Sequence, residues 1–112
     1  MSKNRASIHD IIQAIEDIMQ AMNQVSFEEF AMNREKQAAI LYFFLTIGEA
    51  TKRLSPVFRD SYPQINWKGM AGMHDILAHQ YGRVNIQVVW DAVQTDLPDL
   101  LILLKALPGE AS

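Results

Sequence analysis

Asn66-Trp67-Lys68-Gly69-Met70-Ala71-Gly72-Met73-His74-Asp75-Ile76-Leu77-Ala78-His79-Gln80-Tyr81-Gly82-Arg83 holds two of the chain's three histidines, one of its two tryptophans and two glycines inside a helical pattern. An interior helix glycine costs about 1 kcal/mol relative to alanine, and a helix that only packs rarely carries so many polar and helix-weakening residues. Asn66 is an N-cap with Ile65 and Met70 as its staple pair, and Gly82 is the terminator after Tyr81. At about 100° per residue, Trp67, Met70, Ala71, His74, Leu77, Ala78 and Tyr81 share one face, while Gly72, Ile76 and His79 lie on another. A small bundle needs only the first face for its core. The second is free to meet another surface, and a second copy of the chain is the simplest candidate, since two-fold homodimers are the commonest soluble oligomers. Such a dimer brings two copies of His79 together.

Working outward, the same periodicity repeats. Ile8, Ile11, Ile12, Ile15, Ile18, Met19 and Met22 form one apolar stripe. Ser26 and Glu29 make a capping box, with Val25 and Phe30 at the staple positions, and open a helix that runs to about Leu54 with a kink near Asn33. Its buried side is expected to hold Phe30, Ala38, Leu41, Phe44, Leu45 and Gly48. Ser55-Pro56 starts a short helix that stops before Pro63. Asn85 caps the last helix, whose stripe from Ile86 and Val89 to Leu104 and Leu107 continues through Pro98, so a kink is expected there. Strand signals are absent. The expectation is an all-α, antiparallel up-and-down bundle of four long helices plus a short one, a single domain over residues 1–112.

Composition narrows the function classes. At 112 residues the chain can bury about two-thirds of its unfolded surface. It has no cysteine, which excludes disulfides and thiolate metal sites and fits a reducing cytoplasm. No signal-like apolar region and no span of about 20 apolar residues is present, so no membrane association is expected. A net charge of −3 argues against broad nucleic-acid binding but leaves room for a small, local RNA site. Asp75 and His79 stand four residues apart, a spacing that could chelate a metal, yet two ligands without a third make a weak site, and no metal or cofactor is expected.

Trp67, His74-Asp75, His79 and Tyr81, followed by Trp90, resemble the signature of the HepT-type toxins, ribonucleases of the HEPN superfamily that pair with MntA-type nucleotidyltransferase antitoxins. Gly48-Glu49-Ala50 and the opening from Ser26 to Glu29 also match, so the resemblance covers nearly the whole chain. The family motif is an arginine, a polar residue, a few variable residues, a histidine, one residue and a tyrosine. Asp75 takes the polar position, and His79 and Tyr81 the last two. His74 stands where the family has arginine.

The resemblance implies a HEPN-like fold and a homodimeric, metal-independent endoribonuclease, acting on tRNA or mRNA through a composite cleft built by both copies. Histidine suits general acid and base roles because its ordinary pKa lies near working pH. Arginine is permanently charged and grips two phosphate oxygens. His79 would be the acid or base. With His74 in the arginine position that grip is lost, which implies either a weakened toxin or a pair of histidines working as acid and base. Tyr81 is where the resemblance places AMP transfer by the antitoxin, although on its own residues it also reads as a half-buried aromatic. Glu49, Lys68 and Arg83 are candidates for supporting the cleft or touching RNA, or are simply solvated. The alternative function is a non-catalytic HEPN-like binding partner of a nucleotidyltransferase.

Overall fold

Ile8, Ile11, Ile15 and Ile18 are fully buried along one side of α1 (Lys3–Ala21), so the isoleucine stripe does form the spine of the molecule. The fold is that of a computed structural model, which describes residues 2–108 apart from the side chains of Gln80 and Tyr81. Among the described residues there are seven α-helical segments and no strand. Met19, expected on the stripe, lies at its margin and is 36% exposed.

The expected kink at Asn33 is a full break. Ser26 and Glu29 close both bonds of the capping box at 3.1 Å, starting α2 (Phe27–Met32). Asn33 then turns extended (φ −112°, ψ 93°) and its side chain accepts from the Lys36 amide at 2.9 Å, capping α3 (Arg34–Lys52) afresh. Gln37 Nε2 donates to the Phe30 and Ala31 carbonyls, satisfying the end of α2. The restart resets the helical phase. Ile40, Leu41, Phe44, Ile47, Gly48 and Thr51 face inward, whereas Ala38 is exposed and Leu45 half-buried.

α1 and α3 run antiparallel. Lys36 Nζ donates to the Ala21 carbonyl at one end, and Arg53 pairs with Asp10 near the other. Asn4 bonds both the amide and the hydroxyl of Ser55, which itself caps the short α4 (Pro56–Ser61). α5 (Trp67–Gln80) follows, capped by Asn66 on the Gly69 amide at 3.0 Å, and packs on α3. Past its end the chain tightens into a 3₁₀ turn, Tyr81–Arg83, which contains Gly82.

Asn85 caps α6 (Ile86–Asp91), whose Trp90 lies against Phe27 and Phe30 with ring centroids 5.7 and 6.2 Å away. Pro98 does not kink a continuous helix. A π-helical turn, Ala92–Asp96, precedes α7 (Leu97–Lys105). Proline has no amide to donate to the carbonyl four residues back, and its ring crowds that carbonyl; widening the preceding turn relieves both. α7 packs on α1, with Lys105 reaching Glu16 at 3.2 Å. The longer helical stretches are α1, α3, α5 and the run from α6 through the π turn to α7. An apolar cavity of about 480 Å³ separates the Met70 and Met73 side of α5 from Leu97 and Leu100. Among the described residues no helix is long and apolar enough to cross a membrane.

Candidate functional site

At Gly48, α3 and α5 approach closely. A Cβ built on it would lie 2.4 Å from the His74 Cβ and 3.0 Å from the His74 Cα, closer than real Cβ atoms approach. Only glycine permits this approach, which fixes the base of the His74 side chain against α3. The side chain itself is 24% exposed, and its Nδ1 lies 3.4 Å from Asp75 Oδ1. The same oxygen accepts from Lys52 Nζ at 2.6 Å. The Lys52 ammonium, and after it His74, hold the Asp75 carboxyl below the usual carboxylate range. Sequence reasoning did not single out Lys52. It stands four residues beyond Gly48, on the same side of α3, and that spacing was the available signal.

Gly72, Asp75, Ile76 and His79 follow one another at steps of three and four, which makes a single stripe on α5. Asp75, Ile76 and His79 are exposed, and an added Cβ on Gly72 would meet nothing within 4 Å. Among the described residues nothing covers Gly72, and its three neighbours on the stripe stand exposed. The opposite face packs as expected at Trp67 and Leu77, both buried, while Ala78, grouped with them by spacing, is exposed.

The remaining candidates divide. Lys68 is exposed and lines a surface groove of about 820 Å³ that extends from Asp75 past Gly72 and Ala71 to Arg59 on α4. Arg59 was not singled out from sequence; its Nε is buried with no hydrogen-bond partner. Glu49 is exposed beside Gly48, and Arg83 is exposed in the 3₁₀ turn, outside this groove. The side chain of Tyr81 lies outside the described residues. Among the described residues no group of three His, Cys, Asp or Glu converges as an ion site.

A family model described as ribonuclease HepT-like matches residues 11–107, which take in α3, the whole of α5 and the stripe just described. The chain belongs to the HepT-like ribonuclease family. It is 36% identical over 110 residues to a Methanocaldococcus jannaschii protein named "Putative RNase MJ0127", covering 95% of this chain and 91% of that one. Against the "Probable ribonuclease HepT" of Thermococcus cleftensis it is 37% identical over 93 residues, covering 83% and 84%. A Caldanaerobacter subterraneus protein named "Putative RNase TTE0752" is 32% identical over 100 residues, 89% of each chain. No solved structure matches significantly. Within this HepT-like chain, His74, Asp75, His79 and Tyr81 all fall inside the matched segment, and the two residues that touch, His74 and Asp75, are joined there by Lys52 from α3.

Proposed function

We propose that this HepT-like protein is the ribonuclease toxin of a toxin–antitoxin pair, working as a homodimer and cleaving RNA without a metal. One observation carries the reading: the family match covers residues 11–107, and within it Asp75 and His79 stand on an α5 stripe left exposed among the described residues. Two copies meeting along Gly72 and Ile76 would form one cleft with a His79 from each. A base removes the 2′-hydroxyl proton, the 2′-oxygen attacks the adjacent phosphorus, and the 5′-oxygen leaves with a proton from an acid. The products are a 2′,3′-cyclic phosphate and a 5′-hydroxyl. His79 of one copy serves as base and His79 of the other as acid, a division that suits imidazole near neutral pH.

His74 in the arginine position slows this chemistry. Losing one preorganised donor typically costs on the order of a hundredfold in turnover. The groove lined by Lys68 and Arg59 gives flanking phosphates a path away from Asp75, and Arg83 lies at the opposite end of α5. A nucleotidyltransferase antitoxin silences the site by transferring AMP from ATP to the Tyr81 hydroxyl, which loses its proton as pyrophosphate leaves; two residues from His79, the added negative charge and bulk close the cleft.

The test compares three proteins on bulk tRNA and mRNA with EDTA present: the chain itself, His74→Arg, and His74→Arg combined with His79→Ala. The expected result is a gain of about a hundredfold for His74→Arg and its abolition by the second change. Equal cleavage by the unaltered chain and His74→Arg would assign catalysis to the histidine pair. If none of the three cuts RNA, the nuclease reading fails, and His74 marks a non-catalytic partner of a nucleotidyltransferase.

A further inference from the structure

We infer that Lys52, which belongs to α3 and not to the motif helix, is the fixed cation of the cleavage site and binds a nonbridging oxygen of the reacting phosphate. The inference rests on the ribonuclease reading of the α5 stripe. Charge builds on the phosphate as the 2′-oxygen attacks, and the site must offset it with a group that stays positive. His74 is a poor source because an imidazole lacks the permanent charge and the two-pronged grip of the arginine it replaces. An ammonium, with an ordinary pKa near 10.4, is charged throughout.

Geometry places Lys52 there. Its Nζ and the His74 Nδ1 lie 2.6 and 3.4 Å from the same atom, Asp75 Oδ1, so the ammonium and the imidazole are gathered at a single carboxylate oxygen. The close approach of Gly48 to His74 locks the two helices one turn away, which fixes the root of Lys52 relative to His74. Asp75 uses one of the three ammonium hydrogens and leaves the others for a phosphate oxygen. The Lys52 side chain is 43% exposed, so an RNA can reach it. The neighbouring cation, Arg53 at the C-cap of α3, is turned to α1 instead, paired with Asp10 at 3.1 Å. Asp75 is then a positioning residue twice over: it holds Lys52 forward, and by taking Nδ1 of His74 it leaves the other ring nitrogen for the cleft. A lysine acts here as a point charge and does not reproduce the two-pronged arginine grip, which fits a site slowed but still charged.

The experiment uses the full chain, with Lys52→Met, Lys52→Arg, Arg53→Met and His79→Ala. Initial rates are measured on a short fluorogenic RNA. Affinity for a 2′-O-methyl oligonucleotide of the same sequence, which cannot be cut, is measured from low to moderate NaCl, and circular dichroism checks folding. Lys52→Met is expected to lower kcat at least tenfold and to flatten the slope of log affinity against log salt by about 0.7 for each phosphate no longer neutralised. Lys52→Arg should regain most of the rate, and Arg53→Met should stay within about twofold of the parent. If Lys52→Met equals the parent while His79→Ala is dead, this inference falls and the ribonuclease reading stands. If His79→Ala equals the parent, the ribonuclease reading falls, and an unchanged salt slope in Lys52→Met removes this inference with it. Equal loss in Lys52→Met and Lys52→Arg also overturns it, because a charge role survives the exchange and a packing role does not.

Discussion

Replacing Gly48 by alanine tests the helix approach on which the whole site is hung. The new Cβ would lie 2.4 Å from the His74 Cβ, where ordinary van der Waals separation begins near 3.4 Å, so α5 must recede locally by about 1 Å. The obstacle is a Cβ and backbone atoms, not the end of a flexible chain, and overpacking of this kind costs about 1–3 kcal/mol. Alanine also gains about 1 kcal/mol of helix propensity over glycine, so the two effects partly cancel. The exposed Ala39, on the same helix, separates them: Ala39→Gly reports the propensity difference with no packing term. Urea unfolding at one fixed protomer concentration gives both values. The expected result is a Gly48→Ala protein about 0–2 kcal/mol less stable than the parent, with a packing cost of about 1–3 kcal/mol once the Ala39→Gly loss is added back. A Gly48→Ala protein more stable by the amount that Ala39→Gly loses would refute the close approach, and with it the fixed placement of His74 and Lys52.

Asp75 supplies a pH signature: its carboxyl sits below the usual range because of Lys52 first and His74 second. A depressed folded-state pKa means that its contribution is complete above the unfolded carboxylate value of about 3.9 and is lost as pH falls through the folded value. The difference in urea midpoint between the parent and Asp75→Asn should therefore be flat above that range and shrink below it, and a difference that widens with acid would contradict the pairing. Ile76 is 55% exposed in the single chain, so Ile76→Asp should leave the melting curve of the protomer nearly unchanged. In sedimentation equilibrium the same change should halve the mass by placing like charges across the two-fold; an unaltered mass would remove the α5 stripe from the dimer interface.

The parts of the fold that could be read from the sequence are those whose causes lie within one turn of chain. Ser26 with Glu29, Ser55 with Pro56, Asn66 and Asn85 each cap a helix through an amide two or three residues away, and each is found doing so. The isoleucines of α1 are likewise spaced by the helix they sit on. What failed depended on phase carried past a break. Ala38 was placed inward by counting through Asn33, but Asn33 starts a new helix, and the count restarts from Ile40. Pro98 shows the same limit. Its missing amide and crowding ring were legible, while the π turn that answers them, with Val93 and Leu97 both buried, was not.

The site divides along the same line. Gly72, Ile76 and His79 were recognisable as one face, and Asp75 as lying one helical turn before His79, because a helix maps steps of three and four onto one side. Lys52 was not, because its meeting with Asp75, 23 residues away, is a matter of how α3 and α5 are registered. That register is set by the absence of a side chain at Gly48, a feature with physical meaning only once the opposing residue is known. The consequence bears on the substitution at His74. Reading the motif helix alone makes the lost arginine a loss of charge. With α3 in place, the same carboxylate that orients His74 also holds an ammonium, so the positive charge has a second source whose position is fixed by the packing of the two helices.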